Sequence, residues 1–173
     1  MRYIKVSFIG DTGVGKTSII KAFLGEDVEN VSSTLGVDNY VIDKDGFKII
    51  LWDFAGQRWF SDILVNFIKG SRLIVLVFDL SDPKTLSSIF TYWTPHIKEY
   101  AGDNSYIVLV GNKMDTQTIP EEVVKKFVEK IKNQLNIYSF TKTSALQKEN
   151  ITELFETIFK AITDSLKDEL GES

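Results

Sequence analysis

Tyr3-Ile4-Lys5-Val6-Ser7-Phe8-Ile9 runs directly into Gly10-Asp11-Thr12-Gly13-Val14-Gly15-Lys16-Thr17, and Gly15 to Leu24 has the apolar spacing of a helix. The octet matches G-x-x-x-x-G-K-[ST] in full, in the strand-loop-helix setting that gives the pattern its meaning. Glycines let a backbone wrap closely around phosphate groups and present N–H donors at a helix amino terminus, where the helix dipole also favours negative charge. Lys16 is then placed to reach the β and γ phosphates and Thr17 to put its hydroxyl on Mg²⁺. Such a loop does not by itself separate ATP from GTP.

Working outward, runs rich in β-branched and aromatic residues recur at Ile49 to Phe54, Leu73 to Leu80, Tyr106 to Val110 and Ile137 to Phe140. Runs that are apolar throughout read as strands covered on both faces. Helical spacing occupies Ser61 to Phe67, Lys84 to Tyr100, Pro120 to Gln134 and Asn150 to Leu166. Alternation of strand and helix predicts a doubly wound α/β sheet. One unit departs from it: Val37 to Ile42 and Phe47 to Phe54 flank Asp43-Lys44-Asp45-Gly46, whose Asp-Gly pair signals a hairpin. The expected fold has six strands, five parallel and one antiparallel at an edge, flanked by about five helices. Pro95 conflicts with an uninterrupted helix over 84–100, because it has no N–H for the carbonyl of Thr91. A kink near residues 91 to 95, or a break, is expected.

With 173 residues, 43% hydrophobic and 25% charged, the chain suits one packed domain spanning 1–173, ending in a short polar tail at 168–173. A net charge of -4 gives no global basic field, so nucleic acid is not an expected partner. There is no cysteine to form a disulfide or thiolate site or to carry a prenyl or palmitoyl group. Arg2 stands where myristoylation needs glycine, and no run approaches the length of a membrane span. A monomer in the cytoplasm, reaching membranes only through a partner or a removed tail, is expected.

Two further motifs stand at strand carboxyl ends, where open α/β sheets bind ligands. Asn112-Lys113-Met114-Asp115 follows the strand at Tyr106 to Val110, and Thr143-Ser144-Ala145 follows the strand at Ile137 to Phe140. With the phosphate loop and Asp53-Phe54-Ala55-Gly56-Gln57 they form an ordered set that resembles the small GTPases of the Ras superfamily, most closely the Rab branch, from about Tyr3 to Leu166. That resemblance implies a slow Mg²⁺-dependent GTPase and a molecular switch with GTP and GDP as its ligands. Gly13, Val14, Gly15, Lys16, Thr17 and Ser18 are assigned to the phosphates, and Asn112, Lys113, Asp115, Ser144, Ala145 and Leu146 to the base. Asp115 would accept paired hydrogen bonds from guanine. Adenine lacks those donors, and a site built to bond a group rejects an analogue without it by about 10⁴ to 10⁵.

By the same resemblance Thr34 in Thr34-Leu35-Gly36-Val37-Asp38 and Asp53 join Thr17 around Mg²⁺. Gly56 brings its N–H to the γ phosphate, and Gln57 orients the attacking water. Lys16, Gly56 and Gln57 are thus the catalytic set. An arginine in cis is not evident, which predicts slow turnover awaiting a GTPase-activating protein. A guanine-nucleotide exchange factor and effectors are the other implied partners, acting through the two loops that the γ phosphate holds. Arg58-Trp59-Phe60 stands where Rabs usually carry Glu-Arg-Phe, and Trp59 is a candidate partner contact. Val28 and Val31 stand where aromatics commonly cover the nucleotide, predicting a looser first switch and faster nucleotide loss. Asn39 replaces one aromatic of the usual effector platform and leaves Trp52 and Phe67 as the other two. The rival classes are a pseudo-GTPase scaffold, opposed by Thr34 and Gln57, and an ATPase, opposed by Asn112, Asp115 and Ser144-Ala145.

Overall fold

The computed structural model describes residues 2–32, 36–55 and 61–171. Its six strands are β1 (Arg2–Ile9), β2 (Val37–Lys44), β3 (Phe47–Phe54), β4 (Leu73–Asp79), β5 (Tyr106–Asn112) and β6 (Ile137–Lys142). They form one sheet in the order β2-β3-β1-β4-β5-β6. Five are parallel, and β2 runs antiparallel to β3 at the edge, as the sequence predicts. The β2–β3 turn is Asp45-Gly46, both at positive φ (51° and 81°), with Lys44 paired to Phe47. This is the two-residue turn whose twist suits a hairpin.

The helices are α1 (Lys16–Leu24), α2 (Ser61–Ile68), α3 (Pro83–Ser88), α4 (Thr94–Tyr100), α5 (Glu121–Lys132) and α6 (Ile151–Leu170). A π-helical turn at Ile89–Trp93 joins α3 to α4, so 83–100 is one continuous rod and the expected number of about five helices holds. This is how the chain accommodates Pro95. The Thr94 N–H bonds the carbonyl of Ile89 five residues back, and Pro95 falls in the opening turn of α4, where no N–H is required. The helix widens by one residue instead of breaking.

β4 is buried along its whole length and its side chains alternate between two cores. Leu73, Val75 and Val77 join Val6, Phe8, Ile20, Phe155 and Ile158 beneath α1 and α6. Ile74, Leu76 and Phe78 join Leu64, Trp93, Val124 and Phe127 beneath the other helices. This double cover explains the apolar runs and leaves the strand carboxyl ends free to carry loops. α6 extends past the expected Leu166 into the segment read as a polar tail. Arg72 donates to Glu169 at 2.7 Å and Tyr106 donates its hydroxyl to Asp168, so residues 168–170 are held against the sheet as helix. Among the described residues, no helix is long and apolar enough to cross a membrane.

Candidate nucleotide-binding site

The loop between β1 and α1 is shaped by its glycines. Gly10 has φ +147°, and a Cβ there would lie 2.2 Å from the carbonyl oxygen of Val77 on β4. Gly15 has φ +102°, and a Cβ there would lie 2.2 Å from Nδ2 of Asn112. Gly13, at φ +82°, faces open space. Lys16 is buried, with Nζ donating to the carbonyls of Gly10 (2.8 Å) and Asp11 (2.9 Å). Burial brings its pKa down to about 8, against the opposing pull of Asp53 and Asp11. An anionic ligand beside the ammonium would favour its charged form.

Thr17 donates its hydroxyl to Oδ2 of Asp53, which is fully buried at the carboxyl end of β3. The pair sets a hydroxyl and a carboxylate side by side, both hard oxygen donors. Among the described residues, no cluster of three or more His, Cys, Asp or Glu side chains could enclose a metal ion. One carboxylate and one hydroxyl fit Mg²⁺, which keeps waters and takes oxygens from a bound phosphate rather than from a protein cage. A cavity of about 250 Å³ opens here, bordered by Gly13, Lys16, Thr17, Ser18, Val31 and Lys113 among others.

A second cavity of about 280 Å³ is bordered by Ser18, Val28, Asn112, Lys113, Asp115, Thr116, Ala145 and Leu146. Asn112 ties its walls together. Its Nδ2 donates to the Val14 carbonyl at 3.0 Å, and its Oδ1 accepts from Thr143 Oγ1 (3.0 Å) and the Ala145 N–H (3.2 Å). Ser144 donates to Asp115 Oδ1 at 2.8 Å. Lys113, at φ 64°, donates to the Gly13 carbonyl at 2.8 Å and pairs with Asp79 at 3.1 Å. Ser18 and Lys113 border both cavities, which therefore adjoin along one side of the sheet's carboxyl edge.

A glycine-shaped loop after β1 beside an Asn-Lys-x-Asp loop, on this strand order, is the arrangement of a known family, and the family model described as Ras family matches residues 5–164. The chain belongs to the Ras family. It is 35% identical over 169 residues to the Ras-related protein SEC4 of Saccharomyces cerevisiae, covering 94% of this chain and 76% of that protein. It is 34% identical over 175 residues to RABD2a of Arabidopsis thaliana (96% and 81%) and 33% over 180 residues to human Rab-12 (98% and 73%). These relatives make it a Rab-like small GTPase.

Of the predicted site residues, the cleft brings together Gly13, Lys16, Thr17 and Ser18 at one end and Asn112, Lys113, Asp115, Ala145 and Leu146 at the other. Val14, Gly15, Ser144 and Asp53 frame it through the contacts above. Thr34, Gly56 and Gln57, with Arg58 and Trp59, lie outside the described residues. Of the expected effector platform, Trp52 is half-buried under the Lys5 ammonium, 5.0 Å from its ring, and Phe67 is core. The sequence motifs give no role to Asp79 or to Thr12, whose hydroxyl donates to the Ala55 carbonyl at 3.2 Å. Asp79 ends β4 without belonging to a phosphate or base motif, and Thr12 occupies an unspecified motif position, so no local pattern marks either.

Proposed function

We propose that this Ras-family chain is a guanine-nucleotide switch that hydrolyses GTP slowly and changes partners with the state of its nucleotide. The observation that supports the reading is that the two cavities adjoin. A ligand with its base at Asp115 and its phosphates at Lys16 spans two cavities that share Ser18 and Lys113. Asp115 selects guanine, its carboxylate oriented by Ser144. Asn112 joins the base loop to the phosphate loop, so that binding at one end steadies the other.

At the phosphate end, loop N–H groups and the Lys16 ammonium offset charge on the phosphate oxygens, which is most of what phosphoryl transfer needs. Thr17, Asp53 and, by family resemblance, Thr34 would hold Mg²⁺, which supplies further charge neutralisation when bound. By the same family resemblance, Gln57 would align the attacking water and the Gly56 N–H would contact the γ phosphate. An arginine from an activating protein completes the site in trans, and an exchange factor and effectors act on the two switch segments.

The purified protein tests this reading through the nucleotide it carries. Denaturation and chromatography should release GDP or GTP in near-stoichiometric amount, and ATP should fail to displace labelled GDP at equal concentration. Recovery of adenine nucleotide, or displacement by ATP at the potency of GDP, would overturn it.

A further inference from the structure

Trp93 is fully buried, and its indole N–H donates to Asp11 Oδ1 at 2.9 Å. Asp11 is the second residue of the phosphate loop, and its carbonyl is one of the two that hold Lys16 Nζ. The indole is held in place by its surroundings. It meets Phe54 edge to face at 6.3 Å and Tyr92 at 4.8 Å, and it closes the π-helical turn at Ile89–Trp93. A π-helical turn carries more residues than an α-helical one, so it changes the face that Trp93 presents relative to α3. A helix on the far side of the sheet's carboxyl edge thereby grips the loop that cradles phosphate.

We propose that Trp93 is a positioning residue for the phosphate loop: through Asp11 it holds the carbonyls that aim Lys16, and so sets how long the nucleotide is retained. The inference rests on the nucleotide-switch reading above. Two further observations favour a role in retention. Among the described residues, those that line the cleft from the first-switch side include Val28 and Val31, neither of which offers a ring to stack on a base. And Phe54, against which the indole packs, ends the strand that carries Asp53, so one side chain touches both walls of the phosphate end.

The test compares release of a fluorescent GDP analogue from Mg²⁺-bound protein in the parent and four variants: Trp93→Phe, Asp11→Ala, Asp11→Asn and the Trp93→Phe/Asp11→Ala double variant. Phe keeps an aromatic ring and loses the N–H, while Asn keeps the acceptor oxygen and loses the charge. Trp93→Phe and Asp11→Ala should each speed release about tenfold, the scale of one hydrogen bond to a charged group. The double variant should be no faster than the faster single, and Asp11→Asn, which keeps only a weaker neutral acceptor, should fall between the parent and Asp11→Ala. A readout that packing alone would not move is the Trp93 indole N–H resonance, identified by its loss in Trp93→Phe. It should move upfield in Asp11→Ala and by less in Asp11→Asn.

Should Trp93→Phe fail to fold, the Asp11 pair still decides. Unchanged release in Asp11→Ala, or equal acceleration in Asp11→Ala and Asp11→Asn, overturns the inference. A parent that binds GDP but releases it no more slowly than Trp93→Phe overturns this inference alone. A parent that binds no GDP overturns the functional reading and this inference with it.

Discussion

Gly15 and Asn112 interlock: a Cβ on the glycine would lie 2.2 Å from the amide nitrogen that Asn112 donates to the Val14 carbonyl. The phosphate loop and the base loop therefore share a contact that admits no side chain. Gly15→Ala would also force φ +102° on an L-residue. The expected cost is about 1–3 kcal/mol of stability, with loss of nucleotide affinity as Asn112 is displaced. Gly13→Ala, at φ +82° but facing open space, carries the backbone strain without that clash and should retain more affinity. Urea unfolding and GDP titration of the two variants measure the difference, and equal losses would contradict the interlock.

Asp115→Asn reverses the polarity of the base contact. A carboxylate accepts from the guanine ring N–H and amino group, whereas an amide can donate to the 2-oxo group of xanthine. Affinity for GDP should fall by more than about tenfold, and xanthosine diphosphate should become the better ligand. Ser144→Ala removes only the hydroxyl that orients the carboxylate at 2.8 Å. It should weaken GDP binding severalfold without changing the preferred base. Displacement titrations with the two diphosphates check both outcomes, and an unchanged base preference in Asp115→Asn would count against the assignment.

Most of the fold was legible because its signals are local. Double-sided burial made β4 an apolar run, and Asp45-Gly46 announced its own turn. The phosphate and base motifs were equally plain, since each is a short string at the end of a strand. What escaped detection depends on residues far apart in the chain. Asp11 and Trp93 are separated by 82 positions, and neither residue type marks the other. Pro95 revealed a conflict within its helix but not its resolution, because kink, break and π-helical turn all satisfy a missing N–H. The continuation of α6 to Leu170 depends on Arg72 and Tyr106, which lie 97 and 62 positions before the residues they bond.

Burial, and the hydrogen bond that Tyr138 donates to Asp164 at 2.7 Å, push the Tyr138 phenol up to about 12. The native state keeps this proton over a range where the unfolded chain, with a phenol near ~10, has lost it. The resulting stabilisation is fully present below the unfolded value and is lost as pH rises through the folded one. Tyr138→Phe should therefore show a shallower decline in urea midpoint than the parent across that alkaline window. Parallel declines would show that the phenol is not coupled to folding.

The most direct test of the account is single-turnover hydrolysis of preloaded GTP with Mg²⁺, comparing the parent with Gln57→Leu. Leucine roughly keeps the bulk of the side chain and removes the amide that aligns water, so hydrolysis should slow while GDP affinity stays nearly the same. Turnover in the parent should be slow but measurable, on the scale of about 10⁻⁴ to 10⁻³ per second without a partner's arginine, and at least severalfold slower in Gln57→Leu. A parent that releases no phosphate above buffer over hours, with Gln57→Leu indistinguishable from it, would contradict the switch and leave a protein that only holds its nucleotide.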